Sequence, residues 1–202
     1  MFMLEKLRRK AKSLRKRIVL PEAEDPRIKE AKVLIDKEEI AEVILLGKDS
    51  LSSENKKRYA KALFELRKEK GIQEKEVELL LEDPLYYAGM MVHLGEADGF
   101  VAGAAHTTSD VARAAIRCLG VDREVGFAFS CFLMELNKQN FGQNGVFVFA
   151  DCGIVPEPSS LQLAMIAVKT AEFAHKVLDI IPRVALLSYS TKGSSKVGSV
   201  EK

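Results

Sequence analysis

The 202-residue sequence contains no tryptophan, only three cysteines and six prolines, and its aromatic share is 7%. Cys118, Cys131 and Cys152 form no CxxC pair, which excludes a disulfide-stapled scaffold and points to reduced thiols in a cytoplasmic chain. Apolar residues never run for the ~18 positions that cross a bilayer, so no transmembrane helix is expected. Met1 to Arg17 has neither the apolar centre nor the small-residue cleavage site of a secretory signal. Also missing are a Gly-x-Gly-x-x-Gly dinucleotide fingerprint, a Walker A sequence and a Gly-x-Ser-x-Gly elbow, which removes the simplest nucleotide-binding and hydrolase readings. His93, His106 and His175 show no ligand spacing with Cys, Asp or Glu, and no metal site is expected.

What remains is a chain 47% hydrophobic and 30% charged, with a formal net charge of +2, the make-up of an ordinary globular protein. The length suits one large α/β domain or one and a half average domains. Its charge is unevenly spread. Residues 1 to 18 carry eight Lys or Arg against Glu5, a local +7, which leaves −5 for the rest of a chain whose total is +2. With Met1, Phe2, Met3, Leu4, Leu7, Ala11 and Leu14 this segment forms a basic amphipathic helix, a pattern shared by nucleic-acid arms, membrane anchors and helices docked on their own protein. The rest of the chain has no basic patch with interleaved aromatics, so docking is the expectation and neither nucleic acid nor membrane is an expected partner.

Short apolar runs alternate with helical segments, which predicts an α/β protein around a buried, mainly parallel sheet. Ile18 to Leu20 reads as a strand, followed by the turn Pro21-Glu22-Ala23-Glu24-Asp25-Pro26 and a helix over about Arg27 to Lys37. Val43 to Leu46 reads as a second strand, and Ser50 to Gly71 as a long solvated helix. A helix over Pro84 to Leu94 and a buried strand over Gly99 to Gly103 come next, then a helix over about Val111 to Leu119. Val125 to Leu133 has the composition of a central strand, Asn137 to Gly145 that of an exposed loop, and Val146 to Ala150 that of a fully buried strand. Ser159 can cap an amphipathic helix reaching about Leu178, and Val184 to Leu187 reads as a further strand.

Ligands of open α/β sheets bind at the carboxyl ends of strands, and three such junctions carry polar side chains. In the first, Thr107, Thr108 and Ser109 precede or open a helix with Arg113 one turn in, an arrangement that either holds a phosphate or carboxylate or merely caps the helix. The second, Ser188 to Lys196, packs four Ser, one Thr, two Lys and one Gly into nine residues, and is either an anion-binding loop or a surface loop. The third is Asp151, at the end of a strand beside Cys152. Its carboxylate suits a general base, an orienting group or a turn cap, and Cys152 reads as a small buried hydrophobe.

Several segments, taken in order, resemble the phosphate acetyltransferase (phosphotransacetylase) family within the phosphate acetyl/butyryl transferases. They are Ile18-Val19-Leu20-Pro21-Glu22-x-Glu24-Asp25, Phe64-Glu65-Leu66-Arg67-Lys68-x-Lys70-Gly71, Tyr87-x-x-Met90-Met91, Leu94-Gly95-Glu96-Ala97-Asp98-Gly99, Gly103-Ala104-Ala105-His106-Thr107-Thr108-Ser109-Asp110, Val148-Phe149-Ala150-Asp151 and Ser188-Tyr189-Ser190-Thr191-Lys192-Gly193-Ser194. The resemblance implies a three-layer α/β fold of the isocitrate/isopropylmalate dehydrogenase type, mainly parallel with helices on both faces, in an incomplete two-domain arrangement. Residues 1–125 would belong to the first domain and 126–202 would open the second.

It further implies reversible acetyl transfer between coenzyme A and inorganic phosphate, with coenzyme A or acetyl-CoA as substrate, no permanently bound cofactor, and homodimers. Arg67 and Arg113 match the family's two N-terminal substrate arginines, and a guanidinium can hold phosphate oxygens in bidentate fashion and screen transition-state charge. The segments Thr107, Thr108, Ser109 and Ser190, Thr191, Lys192, Gly193, Ser194 match loops that line the substrate cleft. The family continues beyond the position of Lys202 with its catalytic aspartate and a Ser-Arg pair, so the thiol's general base is expected there, and negligible turnover is expected of this chain alone. The stretch from Gly47 to Arg58 is also short relative to the family, which commonly has another β-type segment there. Two other readings stay open: a noncatalytic coenzyme A- or phosphate-binding or assembly module, and a butyryl-preferring acyltransferase.

Overall fold

Strand β1 (Arg17–Leu20) ends in the fully buried pair Val19 and Leu20, and each of its edges carries a parallel neighbour. The computed structural model, which describes residues 2–187, pairs Ile18 with Val43 of β2 (Glu42–Leu45) on one side and with Gly99 of β3 (Gly99–Phe100) on the other, giving the order β2-β1-β3. Residues Arg8–Gly120 form one compact unit around this sheet, and the residues from Val121 onward, with the start of the chain through Leu7, form another.

The first helix, α1 (Phe2–Leu14), begins the chain, and Lys6 anchors its opening turns within the second unit by donating to the Leu178 carbonyl at 2.6 Å and pairing with Asp179 at 3.2 Å. In the first unit, Asp25 caps α2 (Pro26–Glu38) by accepting from the Arg27 amide, and Pro26 sits where a missing N–H costs nothing. The expected long helix from Ser50 to Gly71 is instead a 3-10 turn, then α3 (Ser53–Arg67) capped by Ser52, then a second 3-10 turn ending at Gly71. Sequence reasoning missed α4 (Glu74–Leu80), because its charged residues leave only Val77 fully buried within it. Asp83 caps α5 (Pro84–His93), whose first seven residues are all buried. Thr107 caps α6 (Thr108–Leu119). Only Gly99 and Phe100 of the expected strand through Gly103 form β3: the Val101 amide still donates to the Val19 carbonyl, and from Gly103 the amides turn toward Glu22.

The crossover from β1 to β2 and the one from β2 back past β1 to β3 run in opposite directions, so right-handed connections put α2 on one face and α3 to α5 on the other, where α6 packs against α5. The core lies on the second face. It is built from Tyr59 and Leu63 of α3, Val77 and Leu81 at α4, and Leu85 and Met90 of α5, with the Tyr59 and Tyr87 rings edge to face at 4.7 Å. α5 and α6 cross so closely that a Cβ added at Gly89 would stand 2.8 Å from both Cβ and Sγ of Cys118.

The second unit departs further from expectation. In place of a central strand over Val125 to Leu133 there is β4 (Cys131–Glu135), paired antiparallel with β5 (Val146–Ala150) in a two-stranded ladder. The connection between them is too short for a parallel crossover and closes as a hairpin, with the Leu136 amide donating to Gly145. β5 is not fully buried. Phe132 and Phe149 lie opposite each other and are 60% and 48% exposed, while Val146, Val148 and Ala150 line a groove with α7 (Ser160–Leu178). As expected, Ser159 caps α7, in a reciprocal box with Gln162. Val184 to Leu187 forms no strand, since no ladder partner flanks it among the described residues.

The α5–α6 crossing yields a measurable expectation. Alanine gains about 1 kcal/mol over glycine in a helix interior, but overpacking against a Cβ that cannot rotate away costs about 1–3 kcal/mol. G89A is therefore expected to lower stability in urea unfolding, and an unchanged or raised midpoint would show that the helices separate freely.

Candidate functional site

The strand order places a crevice between the carboxyl ends of β1 and β3, where the following helices α2 and α6 depart to opposite faces. Glu22, two residues past β1, fills it. Its side chain is 1% exposed. One carboxylate oxygen accepts from the amides of Gly103 (3.0 Å) and Ala104 (2.8 Å). The other accepts from the amides of Ala105 (2.9 Å) and His106 (2.8 Å) and lies 2.8 Å from His106 Nδ1. Burial alone would raise the Glu22 pKa, but the amides of Ala105, His106 and Ala104 and the His106 ring outweigh it and hold the carboxyl down at about 2. The opposite edge of the His106 ring has Nε2 3.7 Å from Asp83 Oδ1, next to a cavity of about 350 Å³ lined by Glu22, Lys48, Asp83 and His106.

Beyond this clamp lie the polar residues singled out from the sequence. Thr107 Oγ1 accepts from the Asp110 amide at 3.2 Å and donates to Asp110 Oδ2 at 2.6 Å. Asp110 Oδ1 in turn accepts from Arg113 Nη1 at 3.0 Å. Thr107, Thr108 and Ser109 are exposed, as is Arg113, so the structure brings these four to the N-terminal end of α6. Free N–H groups and the positive end of the helix dipole converge there, and the Arg113 guanidinium adds a full charge one turn in. Thr107, left open between capping and anion binding, does cap the helix.

Arg67 is elsewhere. Its Nε donates to the Arg117 carbonyl at 2.7 Å and its Nη2 donates to the Ile116 carbonyl, so it satisfies the C-terminal end of α6. At 1.5 Å per residue, that places it about 15 Å along the helix from Thr107. Ser190, Thr191, Lys192, Gly193 and Ser194 lie outside the described residues.

Asp151 turns out to be a clamp rather than a base. It accepts from the Ser130 amide (2.5 Å) and hydroxyl (2.7 Å) and from the amides of Gly153, Ile154 and Val155 (3.2, 2.9 and 2.7 Å). Burial opposes ionisation, yet the bonds from Val155, Ser130 and Ile154 drive its carboxyl far below the usual range, which leaves a poor proton acceptor at neutral pH. Burial pushes the Cys118 thiol up to about 12, out of reach of nucleophilic work. No cluster of three metal-ligating side chains occurs among the described residues. Sequence reasoning missed Glu22. The signal available was an acid directly after a buried strand, but its partners are 81 to 84 residues away.

Because the Glu22 carboxyl is lowered on folding, its contribution is complete above the unfolded value of 4.5 and is lost as pH falls through about 2. The difference amounts to about 3 kcal/mol at 1.36 kcal/mol per pKa unit. Urea unfolding at pH 6 and pH 2.5 is expected to show a loss in the wild-type chain that is smaller in E22Q. Equal losses would remove Glu22 from the acid transition.

Comparison with known proteins bears on these same segments. The family model described as phosphate acetyl/butaryl transferase matches residues 2–202. Two curated relatives, each named phosphate acetyltransferase, come from Thermoanaerobacterium thermosaccharolyticum (40% identical) and Acetivibrio thermocellus (39%). All of this chain is covered in both comparisons, together with 67% of each relative. Among solved structures, a phosphotransacetylase from Streptococcus pyogenes superposes with a TM-score of 0.82 at 32% identity over 98% of this chain, and one from Staphylococcus aureus with 0.80 at 31% over all of it. This chain spans 64% and 65% of those two proteins, respectively. With a match along its length, a sheet flanked by helices and a shared backbone, the chain belongs to the phosphate acetyl/butaryl transferase family.

Proposed function

We propose that this chain serves reversible acetyl transfer between coenzyme A and inorganic phosphate, as an acyltransferase polypeptide whose α6 N-terminal end receives the phosphate or phosphoryl group. The observation that carries this reading is the 40% identity, along the full chain, to a protein named phosphate acetyltransferase. The relatives compared are named for acetyl rather than butyryl transfer, which favours the smaller acyl group. In this reaction a coenzyme A thiolate attacks the acetyl carbonyl of acetyl phosphate to give a tetrahedral oxyanion, whose collapse re-forms the carbonyl as a thioester while phosphate departs with the electron pair of the broken C–O bond. The demand on the protein is to hold a multiply charged anion and to spread charge as it builds on the leaving oxygen.

Arg113 suits that demand. Its planar fork matches phosphate oxygens, and its present partner Asp110 is a surface carboxylate that an incoming anion displaces at small cost. Thr108 and Ser109 add hydroxyl donors from the first turn. Arg67, held by two carbonyls, reaches an anion only by releasing the α6 C-terminus. Ser190, Thr191, Lys192, Gly193 and Ser194 complete the proposed binding set by family resemblance. The remaining parts of the reading are residues 1–125 as the first domain with 126–202 opening the second, a homodimer, a cytoplasmic setting and soluble small-molecule substrates. No helix among the described residues is long and apolar enough to cross a membrane.

Calorimetric titration tests the site directly. Inorganic phosphate and coenzyme A are expected to bind the chain, and R113A to weaken phosphate by about 10- to 100-fold, the loss of a charged hydrogen bond of about 1.5–3 kcal/mol. D110N removes the competitor of an exposed ion pair and is expected to strengthen phosphate binding by about two- to fivefold. Absence of heat with both ligands, or indifference to R113A, would overturn the assignment.

A further inference from the structure

The loop that leads from β3 to the proposed phosphate end of α6 is shaped less by its own sequence than by one side chain from another strand. Four successive amides, Gly103 to His106, converge on the Glu22 carboxylate. Such convergence is otherwise the signature of a bound anion, and Gly103, at φ 116°, makes the bend that starts it. From the first turn of α2, Arg27 donates to the Ala104 carbonyl, so the turn after β1 grips the loop through both an acceptor and a donor. His106 adds a ring nitrogen to the same carboxylate. Thr107, the cap of α6, is the next residue along.

We infer that Glu22 is a positioning residue for phosphate binding: it occupies the crevice between β1 and β3 as an internal anion, fixes residues 103–106, and thereby directs the external anion outward to Thr108, Ser109 and Arg113. The inference rests on the acetyl-transfer reading given above. Its physical basis is twofold. A second anion at the same four amides would stand against the buried carboxylate, which carries its charge throughout the neutral range. Beyond the four amides that Glu22 takes up, the amides of Thr108 and Ser109 in the first turn of α6 come just after Thr107 along the chain and have no intrahelical partner. The neighbouring cavity, about 350 Å³, is lined in part by Glu22, Ala105 and His106 and adjoins the carboxylate position.

The test follows inorganic phosphate, and separately formate, by amide ¹H–¹⁵N shifts in the wild-type chain, E22Q and E22A. In the wild type, phosphate is expected to move the amides of residues 108–113 and leave 103–106 in place. E22Q keeps the volume but turns a donor toward donors, and is expected to weaken the phosphate response at 108–113 at least tenfold while the α3 to α5 amides keep their pattern. In E22A, formate is expected to enter the vacated position, move 103–106 toward their wild-type shifts and restore the phosphate response at 108–113. A merely structural residue would show no such rescue by a free carboxylate. Wild-type phosphate binding that persists unchanged in E22Q overturns the inference, as does a folded E22A that ignores formate. Should E22A not fold, E22Q decides alone. No response of the wild-type chain at 108–113 sinks the phosphate-site reading itself, and the inference with it, and is told apart because it appears before any substitution.

Discussion

A carboxylate shut away from water is among the most expensive groups a fold can contain, and Glu22 is tolerable only because the β3–α6 loop spends its amides on it. Four N–H groups and an imidazole stand where water would otherwise solvate the charge. The dependence is mutual. Without the carboxylate, four backbone donors would face one another across a dry crevice, and the chain from Gly103 to Thr107 would have no reason to keep its path. Everything that follows, the cap at Thr107, the direction of α6 and the exposure of Thr108 and Ser109, inherits its position from this contact.

α6 then works as a rod satisfied at both ends by different means. Its N-terminal donors are met in part by Thr107 and in part left to solvent, whereas its C-terminal carbonyls are met by the Arg67 guanidinium, a cation placed where the helix dipole favours one. Ala114 and Cys118 seat the middle of the rod against α5, at the close approach that Gly89 permits. Fixing the far end and the buried face leaves the near end with little freedom, as the proposed phosphate site requires. Arg67 bears on the proposed phosphate site only through the helix it closes.

Much of the first unit was legible from local chemistry. Pro26 and Pro84 mark helix starts because proline is tolerated in a first helical turn and not in an interior, and in the second unit Ser159 caps α7 as its side chain predicts. α4 escaped because burying one face of a seven-residue helix needs only two apolar positions, too few to show a period. The Glu22 clamp and the placement of Arg67 escaped for a different reason: their partners are roughly 50 to 80 residues away, and no local pattern encodes which distant amide or carbonyl a side chain will meet. Family resemblance supplied only the expectation that Arg67 and Arg113 hold substrate, and the geometry places these two arginines at opposite ends of one helix.

The second unit shows the limit of composition as a guide to burial. Val146 to Ala150 is entirely apolar, which normally marks a strand covered on both faces. Yet a two-stranded ladder with a single packed helix can cover only one. Val146, Val148 and Ala150 turn toward α7, and the alternation of the pleat carries Phe149, with its cross-strand partner Phe132, to the other side. At the carboxyl end of β5, Asp151 organises its turn in the manner of Glu22, with backbone amides gathered on a carboxylate. Its donors, however, lie within four residues or at Ser130, the residue just before β4, so it stabilises a local bend. Glu22 reaches across the sequence and joins two strand ends, and that difference in reach makes one carboxylate a turn cap and the other the organiser of the loop that leads into α6.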